Sequence, residues 1–192
     1  MGTSLVTPGV TVPPADYAVD STLDLKEDRR AAVTIQVGFA AVVGVMVALA
    51  VLLDLPLDSS WSGWVVAGVT VAACLLFMVL HELTHGLVLW VLTRVPPTYA
   101  VRLPYLVTGS QALLRRREAV AVALAPLLLW GAVLLVLLSV VPADLFLTVY
   151  VLLALNVAAA AGDVLQAWVF GRLPQGALVR DDGRQTTVYL PA

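Results

Sequence analysis

Both histidines of the chain, His81 and His85, stand in the stretch FMVLHELTHGLVLW, with Glu82 directly after the first. On a helix a four-residue step is one turn plus about 40° of rotation, so the two imidazoles face one point in space. Two such nitrogens supply half of a tetrahedral zinc site. A glutamate beside them but out of line is placed to take the proton of an attacking water. The alternative is that the histidines pair with polar groups on neighbouring helices.

A catalytic zinc takes a third protein ligand, and Asp163 is the candidate at matching depth. Nine residues separate His85 from Arg94, and nine separate Asp163 from Arg172. At about 1.5 Å rise per residue, both lie about 13 Å from the nearest basic boundary. The AAAAG run just before Asp163 lets its helix approach the histidine helix closely, as small-residue faces do in membranes. Partnership with some other polar group, or a snorkelling carboxylate at a helix end, is the alternative for Asp163.

The elements that must position these groups are apolar. Sixty percent of the residues are hydrophobic and 12 percent are charged, a composition far from that of soluble domains. The expected fold is an all-α integral membrane protein, a four-transmembrane-helix bundle with short cytosolic β-like segments. Its spans are expected at about 31–53, 61–93, 119–141 and 145–171, each longer than the roughly 20 residues that cross a hydrocarbon core. The first run, preceded by some 30 residues and followed by no small-residue cleavage site, reads as a retained span. A carboxylate in such surroundings costs about 2.5–3.5 kcal/mol, so Glu82 and Asp163 each need a reason to be there.

All eleven Lys and Arg residues fall before span one, between spans two and three, or after span four. By the positive-inside rule, both termini and the central loop are expected in the cytosol of a cell whose membrane the chain crosses several times. The net charge of −2 argues against a nucleic-acid partner, and the apolar composition makes the lipid bilayer the expected surroundings. Cys74, the single cysteine, sits within span two and reads as packing.

Outside the spans, residues 1–30 are expected to be a cytosolic tail, with Ser21 and Asp24 resembling a helix start. The central loop carries two strand-like runs, Tyr99 to Leu103 and Tyr105 to Thr108, around Pro104. They either rest on the membrane interface through their tyrosines or offer a strand edge to an extended peptide, with Tyr99, Ala100 and Val101 as contacts. Residues 172–192 form a second cytosolic tail, where alternating runs around Asp182-Gly183 signal a hairpin.

The sequence HELTHGL, then YAVRL, then ALAP in the next span, then Asn156 and the Gly162-Asp163 pair, and a trailing VRDDG and VYLP resembles the bacterial and archaeal family called putative zincin peptidases. The pattern of an intramembrane HExxH followed two spans later by Asn and Asp is also similar to the site-2 protease class. The resemblance implies His81, His85 and Asp163 as Zn²⁺ ligands and Glu82 as catalytic base. Asn156 departs from the site-2 pattern, standing seven positions before Asp163 with no proline between them. On a regular helix that is about 10 Å along the axis, so Asn156 is either a substrate contact or a plain interhelical hydrogen bond. Pro126 reads as a kink.

Together these features point to an intramembrane zinc metalloprotease that cuts transmembrane or membrane-associated protein substrates near the cytosolic face. The competing class is a zinc-binding membrane scaffold or chaperone that cuts nothing. A transporter is disfavoured by the absence of paired interruptions in two matching halves.

Overall fold

In the computed structural model, which describes residues 9–23, 28–102 and 105–192, the apolar runs form helices. Helix α1 (Arg29–Leu52) begins after Asp28, whose carboxylate accepts from the Arg30 N–H at 2.8 Å, satisfying one orphan donor of the first turn. Helix α2 (Gly63–Thr93) ends where Arg94 turns left-handed, with φ 60°. Helix α3 (Arg116–Val140) opens with Glu118 reaching back to the Arg115 N–H at 2.8 Å. The fourth apolar run is two helices, α4 (Ala143–Ala159) and α5 (Ala161–Arg172), joined at Ala160 with ψ near 0°. Among the described residues, four helical stretches are long and apolar enough to cross a membrane: α1, α2, α3 and α4 with α5.

Helix α3 lies at the centre, packed on α2, α4 and α5, while α1 covers α4 and α5. Phe77, Leu134, Val149 and Leu153 make the apolar centre of the bundle. At one end, Asp144 accepts from the Ser59 hydroxyl (2.9 Å) and from the backbone (2.5 Å) and hydroxyl (3.1 Å) of Ser60. This ties the α1–α2 connection to the start of α4.

The strands gather at the other end. Strands β1 (Tyr17–Leu23), β4 (Leu114–Arg115), β5 (Leu178–Asp181) and β6 (Thr186–Pro191) form an antiparallel sheet in the order β1-β6-β5-β4. Leu114 and Val179 pack with Ala119 and Phe170, so the sheet is continuous with the α3–α5 core. In the β5–β6 turn, the backbone N–H groups of Gln185 and Arg184 hold the Asp182 carboxyl below the usual carboxylate range, outweighing the opposing effect of its partial burial. A separate hairpin, β2 (Thr98–Arg102) with β3 (Tyr105–Gly109), pairs Tyr99 with Thr108 and Val101 with Leu106. Gly109 lies so close to the Asp182-Gly183 backbone that a Cβ there would overlap it, which locks this hairpin to the β5–β6 turn.

Three expectations need correction. The molecule is mostly helical, and its β segments are more than the short pieces expected: strands from both ends of the chain and from the residues just before α3 build a four-stranded sheet. Residues 17–23, expected as part of the N-terminal tail, are a strand, and Ser21, expected near a helix start, lies inside it; the helix starts at Asp28. The reason is that β6 needs a partner for its outer edge, and a pairing across the whole length of the chain leaves no local pattern. Span four is not one regular helix, because the run of small residues admits a break at Ala160 without any proline. Pro8, Asp24, Lys26, Leu103 and Pro104 lie outside the described residues.

Candidate metal centre

Helix α2 brings His81 and His85 to one buried face, and the first turn of α5 brings Asp163 opposite them. Asp163 Oδ2 lies 3.1 Å from His81 Nε2, and Oδ1 lies 3.5 Å from His85 Nε2. The break at Ala160 matters here. It makes Asp163 a residue of a helix N-terminus, where the partial positive charge of the helix dipole favours a carboxylate.

The donor set can be tested against zinc. Ligand atoms each about 2.0–2.1 Å from a tetrahedral ion are separated from one another by about 3.3–3.4 Å. The 3.1 and 3.5 Å contacts run to different oxygens of Asp163, but one ligand atom from each of the three residues lies within 4.8 Å of the others, close enough for small side-chain adjustments to bring all three onto one ion. His81, His85 and Asp163 therefore fit a zinc ion with three protein ligands, and nitrogen-rich donors of this kind suit zinc better than magnesium or calcium.

The surroundings hold the ligands in place. His85 Nδ1 lies 2.9 Å from the Val122 carbonyl of α3. His81 meets Phe77 edge to face at 6.4 Å between centroids, and Phe77 meets Trp130 the same way at 5.8 Å. Trp130 in turn donates its indole N–H to the Thr84 hydroxyl at 3.0 Å, one helical turn from His81.

Glu82 turns toward the β2–β3 hairpin. The Thr108 hydroxyl lies 2.8 Å from Glu82 Oε2 and 3.0 Å from the Glu82 carbonyl, so its single proton serves one or the other. Tyr99 on the paired strand lies over Gly86, where any Cβ would collide with its ring. Partial burial, and after it the Glu82 carboxylate, push the Tyr99 hydroxyl above the ordinary tyrosine range. Tyr99 thus stays protonated beside the candidate base.

Ala100 and Val101 are exposed on β2 and line a cleft of about 230 Å³ with Thr98, Val107, Gly109 and the Asp182–Arg184 turn. Asn156 is fully buried, and its amide donates to the Leu127 carbonyl of α3 at 3.1 Å. Among the described residues its Oδ1 has no partner. Leu127 lies five residues beyond Val122 on α3, about 7.5 Å further along the axis, so Asn156 anchors α3 deeper in the bundle than His85 does.

The sequence reading missed Thr108, Trp130 with Thr84, and the Val122 carbonyl. Only the last left a signal, the proline four residues later.

Two histidines one turn apart and a carboxylate from a second helix form the candidate metal-binding group, with a glutamate next to the first histidine. A family model described as putative zincin peptidase matches residues 74–178, more than half of the 192 residues. The chain belongs to that family, and membership supports a metallopeptidase with zinc as its metal. No curated protein and no solved structure matches the chain.

Proposed function

We propose that this protein is an intramembrane zinc metalloprotease of the site-2 protease kind, hydrolysing peptide bonds of membrane-embedded substrates near the cytosolic face. The observation that carries the reading is the meeting of His81, His85 and Asp163, close enough to share a metal ion, within helices apolar enough to span a bilayer. Tryptophans support the membrane placement, with Trp61 and Trp64 at one end of α2 and Trp90 and Trp168 near the other, as in interfacial belts. Arg94 stacks on Trp90 and Arg172 on Trp168, with 3.8 Å from the latter guanidinium to the ring centroid.

His81, His85 and Asp163 would hold the metal, which would supply a water acidic enough to ionise near pH 7 and a Lewis acid for the scissile carbonyl. Glu82 accepts the proton of the attacking water and delivers it to the leaving nitrogen, while Thr108 holds its carboxylate. The substrate must be unwound before its carbonyl can be attacked, because a helix keeps its carbonyls in its own hydrogen bonds. Strand β2, with Tyr99, Ala100 and Val101, offers an edge along which an unwound segment adds as a strand.

The test is product formation from a library of transmembrane peptides co-reconstituted with the protein in liposomes and read by mass spectrometry. Cleavage is expected to stop on zinc chelation and return when zinc is restored. Cleavage that persists after chelation, with zinc confirmed absent, removes the reading.

The orientation has its own check. In a Cys74→Ser background, Asp58→Cys is expected to react with an impermeant thiol reagent in intact cells, and Arg184→Cys only after lysis. Both positions are exposed. Labelling of Arg184→Cys from outside reverses the topology.

A further inference from the structure

We propose that Pro126 is a positioning residue for the metal centre: by withholding a backbone N–H it leaves the Val122 carbonyl to the Nδ1–H of His85, which fixes the tautomer that presents Nε2 to the metal. In a regular helix the carbonyl of residue 122 accepts from the N–H of residue 126. Proline has no such hydrogen, and its ring pushes that same carbonyl off the helix axis. Pro126 is fully buried in the interior of α3, and the group found at the Val122 oxygen, 2.9 Å away, is His85 Nδ1.

A carbonyl oxygen only accepts, so Nδ1 carries a proton, and of the two neutral tautomers this is the one that leaves a lone pair on Nε2 for a metal. Nε2 is the atom that faces Asp163. An isolated neutral imidazole shares its proton between its two nitrogens, so the bundle supplies the choice. The pairing also removes a cost. A backbone carbonyl without a donor is expensive in an apolar bundle, and a buried imidazole N–H without an acceptor is expensive too. Each satisfies the other, and the outcome is a ligand whose ring orientation is held by a second helix, as outer partners of metal-bound histidines do. A proline serving only to bend α3 would leave its freed carbonyl to any donor. Here the donor belongs to a residue of the metal cluster.

The chain contains two histidines, so ¹⁵N-histidine labelling gives a spectrum simple enough to read each ring. In metal-free wild type with neutral imidazoles, His85 is expected to carry its proton on Nδ1. Pro126→Ala restores the competing N–H. The Nδ1–H population of His85 is expected to fall toward the mixture of a free imidazole, and zinc affinity in chelator competition to drop about 10- to 100-fold, the scale for a lost outer partner. Pro126→Gly restores the same N–H while keeping the backbone free to bend, and serves if the alanine variant does not fold.

A proton on Nε2 of His85 in wild type overturns the inference. So does a folded variant whose His85 tautomer is unchanged, whatever its zinc affinity, because a loss of affinity without a change of tautomer is a packing effect. The inference rests on the metal-centre reading, but the tautomer is read without metal. If wild type binds no zinc, the metal reading falls by itself and the spectrum still decides the role of Pro126.

Discussion

Glu82→Gln is expected to lower peptide-bond cleavage by about 10²- to 10⁴-fold, the range for a lost general base, while zinc content and folding stay near wild type. The substitution keeps size and shape and removes the ability to hold the proton. Its amide oxygen still accepts from the Thr108 hydroxyl, now 2.8 Å from Glu82 Oε2, so the link between α2 and β3 survives. The cluster of His81, His85 and Asp163 does not include Glu82, and metal occupancy is therefore predicted to be indifferent to the change. That combination, activity lost and zinc kept, separates the protease from a zinc-binding scaffold. A product formed at the wild-type rate by a zinc-loaded Glu82→Gln variant would remove Glu82 from the chemistry and favour the scaffold.

What could be read from the residues alone was whatever a helical period or a membrane thickness encodes. His81 and His85 follow from a one-turn spacing, and Asp163 from equal distances to Arg94 and Arg172, because helices that cross the same slab share a common ruler. The neighbours of these groups obey no such ruler. Thr108 reaches Glu82 from a strand 26 positions away, and Trp130 reaches Thr84 across 46; neither contact leaves a periodic trace. The pairing of β1 with β6 joins the two ends of the chain, so residues 17–23 looked like tail until a partner was known. The break at Ala160 was hidden for another reason. Small residues promise close approach but do not say whether the helix continues, and here the chain turns at Ala160 without any proline.

That break gives the second large effect its physical basis. Asp163→Ala is expected to weaken zinc binding by more than about 100-fold, beyond the 10- to 100-fold seen when only an outer partner of a ligand is lost. Two imidazoles from one helix face cannot complete a first shell, and no other His, Cys, Asp or Glu joins the cluster among the described residues. Folding is expected to survive, because alanine continues the small-residue run from Ala158 to Gly162 and removes a carboxylate whose contacts are His81 and His85. His81→Ala and His85→Ala are expected to match it in metal content, measured by elemental analysis of purified protein. Asn156→Ala is the contrasting variant: its amide is bound to the Leu127 carbonyl, so it should keep its zinc whatever it does to packing. Full zinc occupancy in Asp163→Ala would place the third ligand elsewhere and leave the half-buried carboxylate at the head of α5 without a function, since a charge among apolar helices is not retained for packing alone.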